Sequence, residues 1–231
     1  MFTSPNIILE NISHILNLNL SKNPIQLFNQ FPIMEIHNIT SEILILATQE
    51  KEFCSAHLNL FIRATDGEVY LIYGKNAKHN NIASLGGLKD GEETVWKTLC
   101  REVTEETVGA ICDPEKMIDV IKNSKSKLVI TTSPKGKHWH FFVTTDEFQY
   151  QEILDRFDAI MTREKDNLPE SWKENSNLVA IPVNELRHKI NEAEHIEKGD
   201  EHIIVETTTG PEHFRSLCVR SMRIYLKSLE E

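Results

Sequence analysis

Apolar residues recur along this chain with two different periods, and the switches between them outline the architecture. Behind Ser4-Pro5, a cap with proline in the first turn, Ile7, Ile8, Ile12, Ile15, Leu16 and Leu20 recur at helical spacing. They predict an amphipathic helix over about residues 5–20. The stretch to Phe31-Pro32 reads as loop with a short helix. Ile43 to Ala47 is an apolar run of β-rich composition. From Ala56 to Arg63 the period is two, with Leu58, Leu60 and Ile62 on one face. Thr65-Asp66-Gly67 is a turn signal and Val69 to Tyr73 is the returning strand, so the two form a hairpin. Residues 74–85 are polar and read as loop, with Lys75, Lys78 and His79.

The helical period returns in the stretch that runs to about Val108, where Val95, Leu99 and Val103 make an apolar stripe that faces a core. Asp113-Pro114-Glu115 opens a short helix. Strands follow at Leu128–Thr132 and His138–Thr144 around the turn Ser-Pro-Lys-Gly-Lys. A helix is expected over 147–163, a strand at Leu178–Pro182, a helix over 183–197 and a short strand at Ile203–Val205. Gly210-Pro211 is expected to open a last helix, to about residue 229. Interleaved strands and helices make the class α/β or α+β. The division that follows is an N-terminal helical extension over 1–42 and a domain over 43–231.

Composition narrows the function classes. With 231 residues, 40% hydrophobic and 26% charged, the chain is one generous domain with a core of its own. No run approaches the ~20 apolar residues of a membrane-spanning helix. The first twenty residues lack a basic leader and are interrupted by Glu10, Asn11 and His14, which argues against a secretory signal. A net charge of −10 disfavours general affinity for nucleic-acid backbone or anionic membrane. Cys54, Cys100, Cys112 and Cys218 form no Cys-x-x-Cys pair, and the expected setting is a reducing cytoplasm. His138 and His140 share one side of a strand; with no third ligand nearby, a satisfied pair is preferred to a metal site. Trp139, Phe141 and Phe142 are read as core rather than as a platform for a base.

The chemistry is concentrated in residues 86–109, GGLKDGEETVWKTLCREVTEETVG. Gly86-Gly87 permits a tight turn or a close approach to phosphate. Glu102, Glu105 and Glu106 fall at i, i+3 and i+4 on one helix face, where they repel one another unless they share a cation or are fully solvated. Carboxylate oxygens, water and substrate phosphates are the usual ligands of Mg²⁺. Arg101 precedes the cluster and can neutralise and orient it.

This stretch resembles the box of the Nudix hydrolases: Gly, five residues, Glu, seven residues, then Arg-Glu-U-x-Glu-Glu-x-Gly-U, with U bulky and apolar. Gly87, Glu93, Arg101, Glu102, Glu105 and Glu106 match, with Val103 at the apolar position. The hairpin before it, and Trp172 to Leu186 after it, agree with the family's mixed β-sheet between helices, here with extra N- and C-terminal helices. One departure is Thr107-Val108-Gly109 where the family has x-Gly; the helix is expected to run one residue longer before Gly109 caps it. A second is Ser84-Leu85, where many members have proline.

The resemblance implies that Glu102, Glu105 and Glu106 ligate Mg²⁺ or Mn²⁺ and that one of them, Glu105 above all, handles a water proton. Glu93 and Arg101 would hold the loop and the carboxylates, and Gly87 would supply the turn; apart from the resemblance, Lys75 follows the second hairpin strand and is a candidate to meet phosphate, with a solvated loop lysine as the alternative. An extra carboxylate outside the box could be Glu174, Glu201 or Glu206. The implied reaction is hydrolysis of a phosphoanhydride in a nucleoside diphosphate-linked small molecule. The alternative is a Nudix-like nucleotide-binding or regulatory domain without catalysis. The marks of the ADP-ribose, dinucleoside polyphosphate and coenzyme A subgroups are missing from the positions where they are expected, and capped RNA is not excluded. Isoprenoid isomerisation is set aside, because Cys54 stands too far upstream of the box. A homodimer is one fate for the Ile-rich N-terminal face; packing on the chain's own core is the other.

Overall fold

The computed structural model describes residues 34–111, 114–192 and 203–229, and the expected helix over 5–20 lies outside them. From Met34 onward the chain forms one compact unit. Its strands are β1 (Met34–Asn38), β2 (Ser55–Arg63), β3 (Val69–Asn76), β4 (Ile82–Ala83), β5 (Leu85–Leu88), β6 (Lys125–Ser133), β7 (Gly136–Thr145), β8 (Asn175–Pro182), β9 (Ile203–Thr207) and β10 (Gly210–Phe214). The helices are α1 (Ser41–Gln49), α2 (Val95–Glu106), α3 (Pro114–Asn123), α4 (Tyr150–Glu164), α5 (Val183–Glu192) and α6 (Ser216–Lys227).

All of the strands join one mixed sheet, ordered β1-β6-β7-β2-β3-β4-β10-β9, with β5 also on β2 and β8 also on β3. β2 runs parallel to β7 from Ser55↔His138 to Ile62↔Thr145. The partners on its other edge change along its length. Leu60–Arg63 pair with β3, whereas Ser55–Leu58 pair with β5. β3 in turn pairs with β4 through Gly74 and Lys75. The β2–β3 hairpin is thus splayed at one end, and the short strand carrying Gly86 and Gly87 is wedged into the opening.

Period-two alternation sends successive side chains to opposite faces. Ala56, Leu58, Leu60 and Ile62 of β2 pack with Trp139, Phe141 and Val143 of β7 under α1 to α4. Phe61 and Phe142 face the other way, under α5 and α6. Trp139, Phe141 and Phe142 are core, as the sequence suggests; Trp139 is 2% exposed and the two phenylalanines 0%.

Four local expectations are corrected. Ile43–Ala47 is not a strand but lies within α1, capped by the Thr40 side chain. Its buried residues, Leu44 and Ala47, are three apart, and Ile45 between them is exposed, which is helical phasing too short to recognise in five apolar letters. The sheet also begins upstream of residue 43, since β1 pairs with β6 from Met34↔Thr131 to Asn38↔Lys127. Gly210-Pro211 opens a strand rather than a helix: Thr208 and Thr209 close a hairpin in which Pro211 faces Glu206. The last helix starts at Ser216, where Cys218, Val219, Met222, Tyr225 and Leu226 begin a helical apolar stripe. The polar stretch 74–85 is not all loop either, because β3 runs on to Asn76 and β4 follows.

Candidate active site

Helix α2 is built where the sequence places it. Thr94 is its N-cap, with its hydroxyl accepting from the Lys97 amide, and Val95, Leu99 and Val103 bury the apolar stripe. That burial fixes the rotation of the helix and turns Arg101, Glu102, Glu105 and Glu106 away from the core.

Arg101 organises the upstream end. Its Nε and Nη2 donate to the two oxygens of Glu93 at 2.9 and 3.0 Å, and Nη2 also reaches the Leu88 carbonyl at 3.1 Å. Its Nη1 donates to Glu102 at 2.8 Å and lies 3.7 Å from Glu105. Glu93 accepts further bonds from the Thr98 hydroxyl and the Asp90 amide. The guanidinium bonds, reinforced by these two, hold the Glu93 carboxyl down to about 2 against partial burial. Arg101 is raised in turn and stays charged. The loop Leu88–Thr94 and the carboxylate face of α2 are therefore tied to one cation.

The two glycines are required by close approach. A Cβ on Gly87 would stand 2.5 Å from the Glu102 carboxylate carbon, and one on Gly86 would stand 2.3 Å from the Ala56 carbonyl oxygen. Gly86 also has φ +141°, and its amide donates to Glu106 at 2.6 Å. Burial pushes the Glu106 carboxyl well above the usual carboxylate range; the Gly86 amide opposes this, and nearby Glu102 and Glu174 add to it. Burial likewise raises Glu102, with Arg101 opposing and Glu105 and Glu174 contributing in the same direction as burial.

Glu174 is thus within electrostatic reach of Glu102 and Glu106. Of the other two candidate carboxylates, Glu206 is exposed on β9, and Glu201 lies outside the described residues. Lys75 is on β3, where its Nζ is held 2.7 Å from Glu212 of β10.

The far end of α2 departs from its expected course. The helix stops at Glu106, and Val108, not Gly109 alone, takes positive φ, +48°. Gly109 N–H donates to the Thr104 carbonyl and Val108 N–H to the Glu105 carbonyl, the paired bonds of a Schellman cap. Val108 occupies the left-handed position, an outlier for a β-branched residue, and is 4% exposed.

Several neighbours carried no motif. Asn175 fills the space a side chain on Gly74 would take, with its Nδ2 2.2 Å from the Cβ position, and donates to the Glu106 carbonyl at 3.1 Å. His57 stands opposite Gly86 in the β2–β5 register and stacks on His140 with ring centroids 5.1 Å apart. Ser55 links His57 to His138 at 2.9 and 2.7 Å, and His138 continues to Ser133 at 2.7 Å. The expected satisfied pair holds for His138, which is bonded on both ring nitrogens, but only in part for His140, whose Nε2 meets the Thr131 hydroxyl at 3.3 Å while its buried Nδ1 has no partner among the described residues. Burial, helped by His138 and Arg215, lowers His57 to about 4, and burial holds His140 well below the usual histidine value, so both rings are neutral near pH 7. Only the register of β2 against β5 and β7 could have brought these residues to the box.

The donor set suits a hard divalent cation in kind. Arg101 is matched by Glu93, which leaves Glu102, Glu105, Glu106 and Glu174 as a surplus of oxygen donors. Among the described residues, no three His, Cys, Asp or Glu side chains already converge on a metal-binding point.

The family described as NUDIX domain matches residues 56–198, more than half of the chain. No curated protein matches significantly. One similar solved structure is a bifunctional NMN adenylyltransferase/ADP ribose pyrophosphatase from Francisella tularensis, complexed with AMP and Mn ion. It has 13% identity and TM-score 0.35, and the match covers 62% of this chain and 37% of that one. Another is the Ap4A hydrolase of C. elegans, with 15% identity and TM-score 0.28, covering 48% of this chain and 98% of that one. On the matched sequence, this chain belongs to the NUDIX domain family.

Proposed function

We propose that the protein is a metal-dependent pyrophosphohydrolase that cleaves a diphosphate bond in a nucleoside diphosphate-linked small molecule. One observation carries this reading: Arg101 holds the Glu93 loop and Glu102 together, while Glu106 is drawn in against the Gly86 amide. A helix face that served solubility alone would have no use for glycines whose missing side chains make room for a carboxylate.

In this reading Glu102, Glu105 and Glu106 hold Mg²⁺ or Mn²⁺, and Glu174 is the extra carboxylate outside the box. The bound ion supplies charge screening for the diphosphate and lowers the pKa of water. Glu105 takes the proton of the attacking water. The water oxygen bonds to phosphorus, the bridging P–O bond breaks, and its electron pair leaves with the departing phosphate oxygen. Arg101 keeps Glu102 oriented, and Gly86 and Gly87 let the loop pass close to the phosphates. Lys75 acts through its ion pair with Glu212, which ties β10 to β3 beside the site. The free thiols of Cys54 and Cys218 suit a reducing, cytoplasmic setting, and no helix among the described residues is long and apolar enough to cross a membrane.

The alternative, a nucleotide-binding domain without catalysis, is favoured by the lack of a preformed convergence among the carboxylates. A substrate panel separates the two. Nucleoside triphosphates, ADP-ribose, dinucleoside polyphosphates, capped RNA and diphosphoinositol phosphates are incubated with Mg²⁺ or Mn²⁺, and products are read by mass. Turnover of at least one, abolished by chelator, is expected. Binding without turnover of any substrate would select the alternative, and full activity in excess chelator would overturn the metal mechanism.

A further inference from the structure

The sheet face that carries His57 and His140 near the box has a different chemistry at its opposite end. Alternation places Arg63 of β2, Lys125 and Lys127 of β6 and Thr144 of β7 on that same face. Together with Arg187 of α5 they line a cavity of about 550 Å³ whose floor includes Phe61 and Val69. Along β2, the step from His57 to Arg63 is about 20 Å at the usual strand rise. The cavity is therefore separate from the carboxylate cluster.

Among the described residues, four cations line this cavity and no carboxylate does, in a chain of net charge −10. Among the described residues, none of Arg63, Lys125, Lys127 and Arg187 makes an ion pair. Lys127 donates to the Ser228 carbonyl at 2.6 Å and hydroxyl at 3.0 Å, neutral acceptors that leave its charge uncompensated. Among the described residues, the buried Arg187 Nε and Ser124 Oγ have no hydrogen-bond partner. Buried donors are rarely left so, because desolvation without a partner is costly. A neighbouring hollow shares Arg63, Ser124 and Lys125 but adds Asp146 and Glu147, which repel an anion from that side. The anion belongs on the Arg187 and Lys127 side.

A guanidinium fork beside an ammonium suits a compact multivalent anion, phosphate above all. The apolar floor calls for an organic body on it, and the volume lies in the range of small-molecule sites. We propose that this cavity is a second, non-catalytic site that binds a small organic phosphate, with the phosphate on Arg187 and Lys127 and the apolar body over the partly buried Val69 and Val183. The site does not depend on the hydrolase reading.

Calorimetric titration of the full chain in excess chelator, with phenyl phosphate as the probe, tests it. Phenyl phosphate should bind one to one and more tightly than inorganic phosphate or phenol. R187Q should weaken it by about tenfold or more, the scale of a charge-assisted hydrogen bond, and the exposed-site charge reversal K125E, which acts through the field of the cavity rather than through a bond to phosphate, should weaken it by about two- to fivefold in a salt-dependent way. K125E should keep the wild-type unfolding temperature, which separates lost binding from lost folding. E105Q should bind the probe as wild type does. Absence of saturable binding, unchanged binding in both cation variants, or loss in E105Q would overturn the proposal. Stronger competition by hexaglutamate than by inorganic phosphate would overturn the ligand class.

Discussion

The two ends of helix α2 obey different rules. At its upstream end, glycine stands wherever the geometry demands it: Gly86 against the Ala56 carbonyl and Gly87 against the Glu102 carboxylate. At its downstream end, the left-handed position of the cap is held by Val108, the kind of residue that geometry disfavours. The upstream demand is one of space, since any side chain there would enter a backbone or the Glu102 carboxylate. The downstream demand is only conformational, and the buried Val108 side chain offsets the strain by packing into the core beneath α2. Strain of this kind can be balanced by burial, whereas an atom cannot be fitted where another already sits.

The largest test of this contrast is E105Q, which alters the carboxylate face that the upstream end serves. Its rate on the best panel substrate should fall ~10²–10⁴-fold, as for a lost general base, while removal of one charge from a repelling cluster leaves stability unchanged or raised by a few tenths of a kcal/mol. A folded E105Q that keeps more than about half of the wild-type rate at saturating metal would show that this face is merely solvated.

Next is G86A. The new methyl meets backbone at 2.3 Å in a conformation that side chains rarely adopt, so a loss of about 3 kcal/mol or more in urea unfolding is expected. A loss under about 1 kcal/mol would mean that the wedge of β5 in the sheet yields easily.

His57, across the register from Gly86, makes a pH prediction. Its folded-state pKa is lowered from 6.5 to about 4, so between those values the unfolded chain binds more protons and stability falls as pH falls. The full shift corresponds to roughly 3 kcal/mol, and partial exposure of the residue brings the expected effect to roughly 2. H57Q should lose about that much less stability than wild type between neutral pH and the acid end of the window. Parallel acid limbs for the two proteins would exclude the histidine as a source of acid sensitivity.

The smallest effect belongs to V108G. Relief of left-handed strain is worth ~1–2 kcal/mol, and the lost burial costs ~1.5–3 kcal/mol. The variant should be destabilised by about 1 kcal/mol or less. A clear gain in stability would mean that strain outweighs packing at the cap, and the contrast between the two helix ends would weaken.

Most of the box was legible in the sequence because its chemistry is local: a capped amphipathic helix brings Arg101, Glu102, Glu105 and Glu106 to one side from spacing alone. Glu93 was legible for the same reason, lying one short loop upstream. Asn175 and His57 were not, since each reaches the box only through strand register with residues far away in the chain. The β10 strand was missed because Gly-Pro serves equally as a helix start and as a hairpin edge, and the pairing with β9 decides between them. Ile43–Ala47 was missed because five apolar letters fit either period. At Val108 the sequence did mark a departure, but whether the helix would lengthen or the backbone twist depended on the core contact made by that one side chain.

The position of α6 has a consequence for how the chain comes into being. Cys218, Val219, Met222, Tyr225 and Leu226 cover the sheet face that holds Phe61 and Phe142, and Tyr225 stacks on Phe142 and lies tilted against Phe61. During synthesis that face is made long before its cover. The strands and the box helix can assemble while α6 is still inside the ribosome, and until it emerges the nascent domain presents an aromatic surface to its surroundings. Such exposure is the condition under which partly made domains aggregate or engage chaperones. Helix α2 packs on the other face of the sheet, so the carboxylates of the box do not wait for that cover.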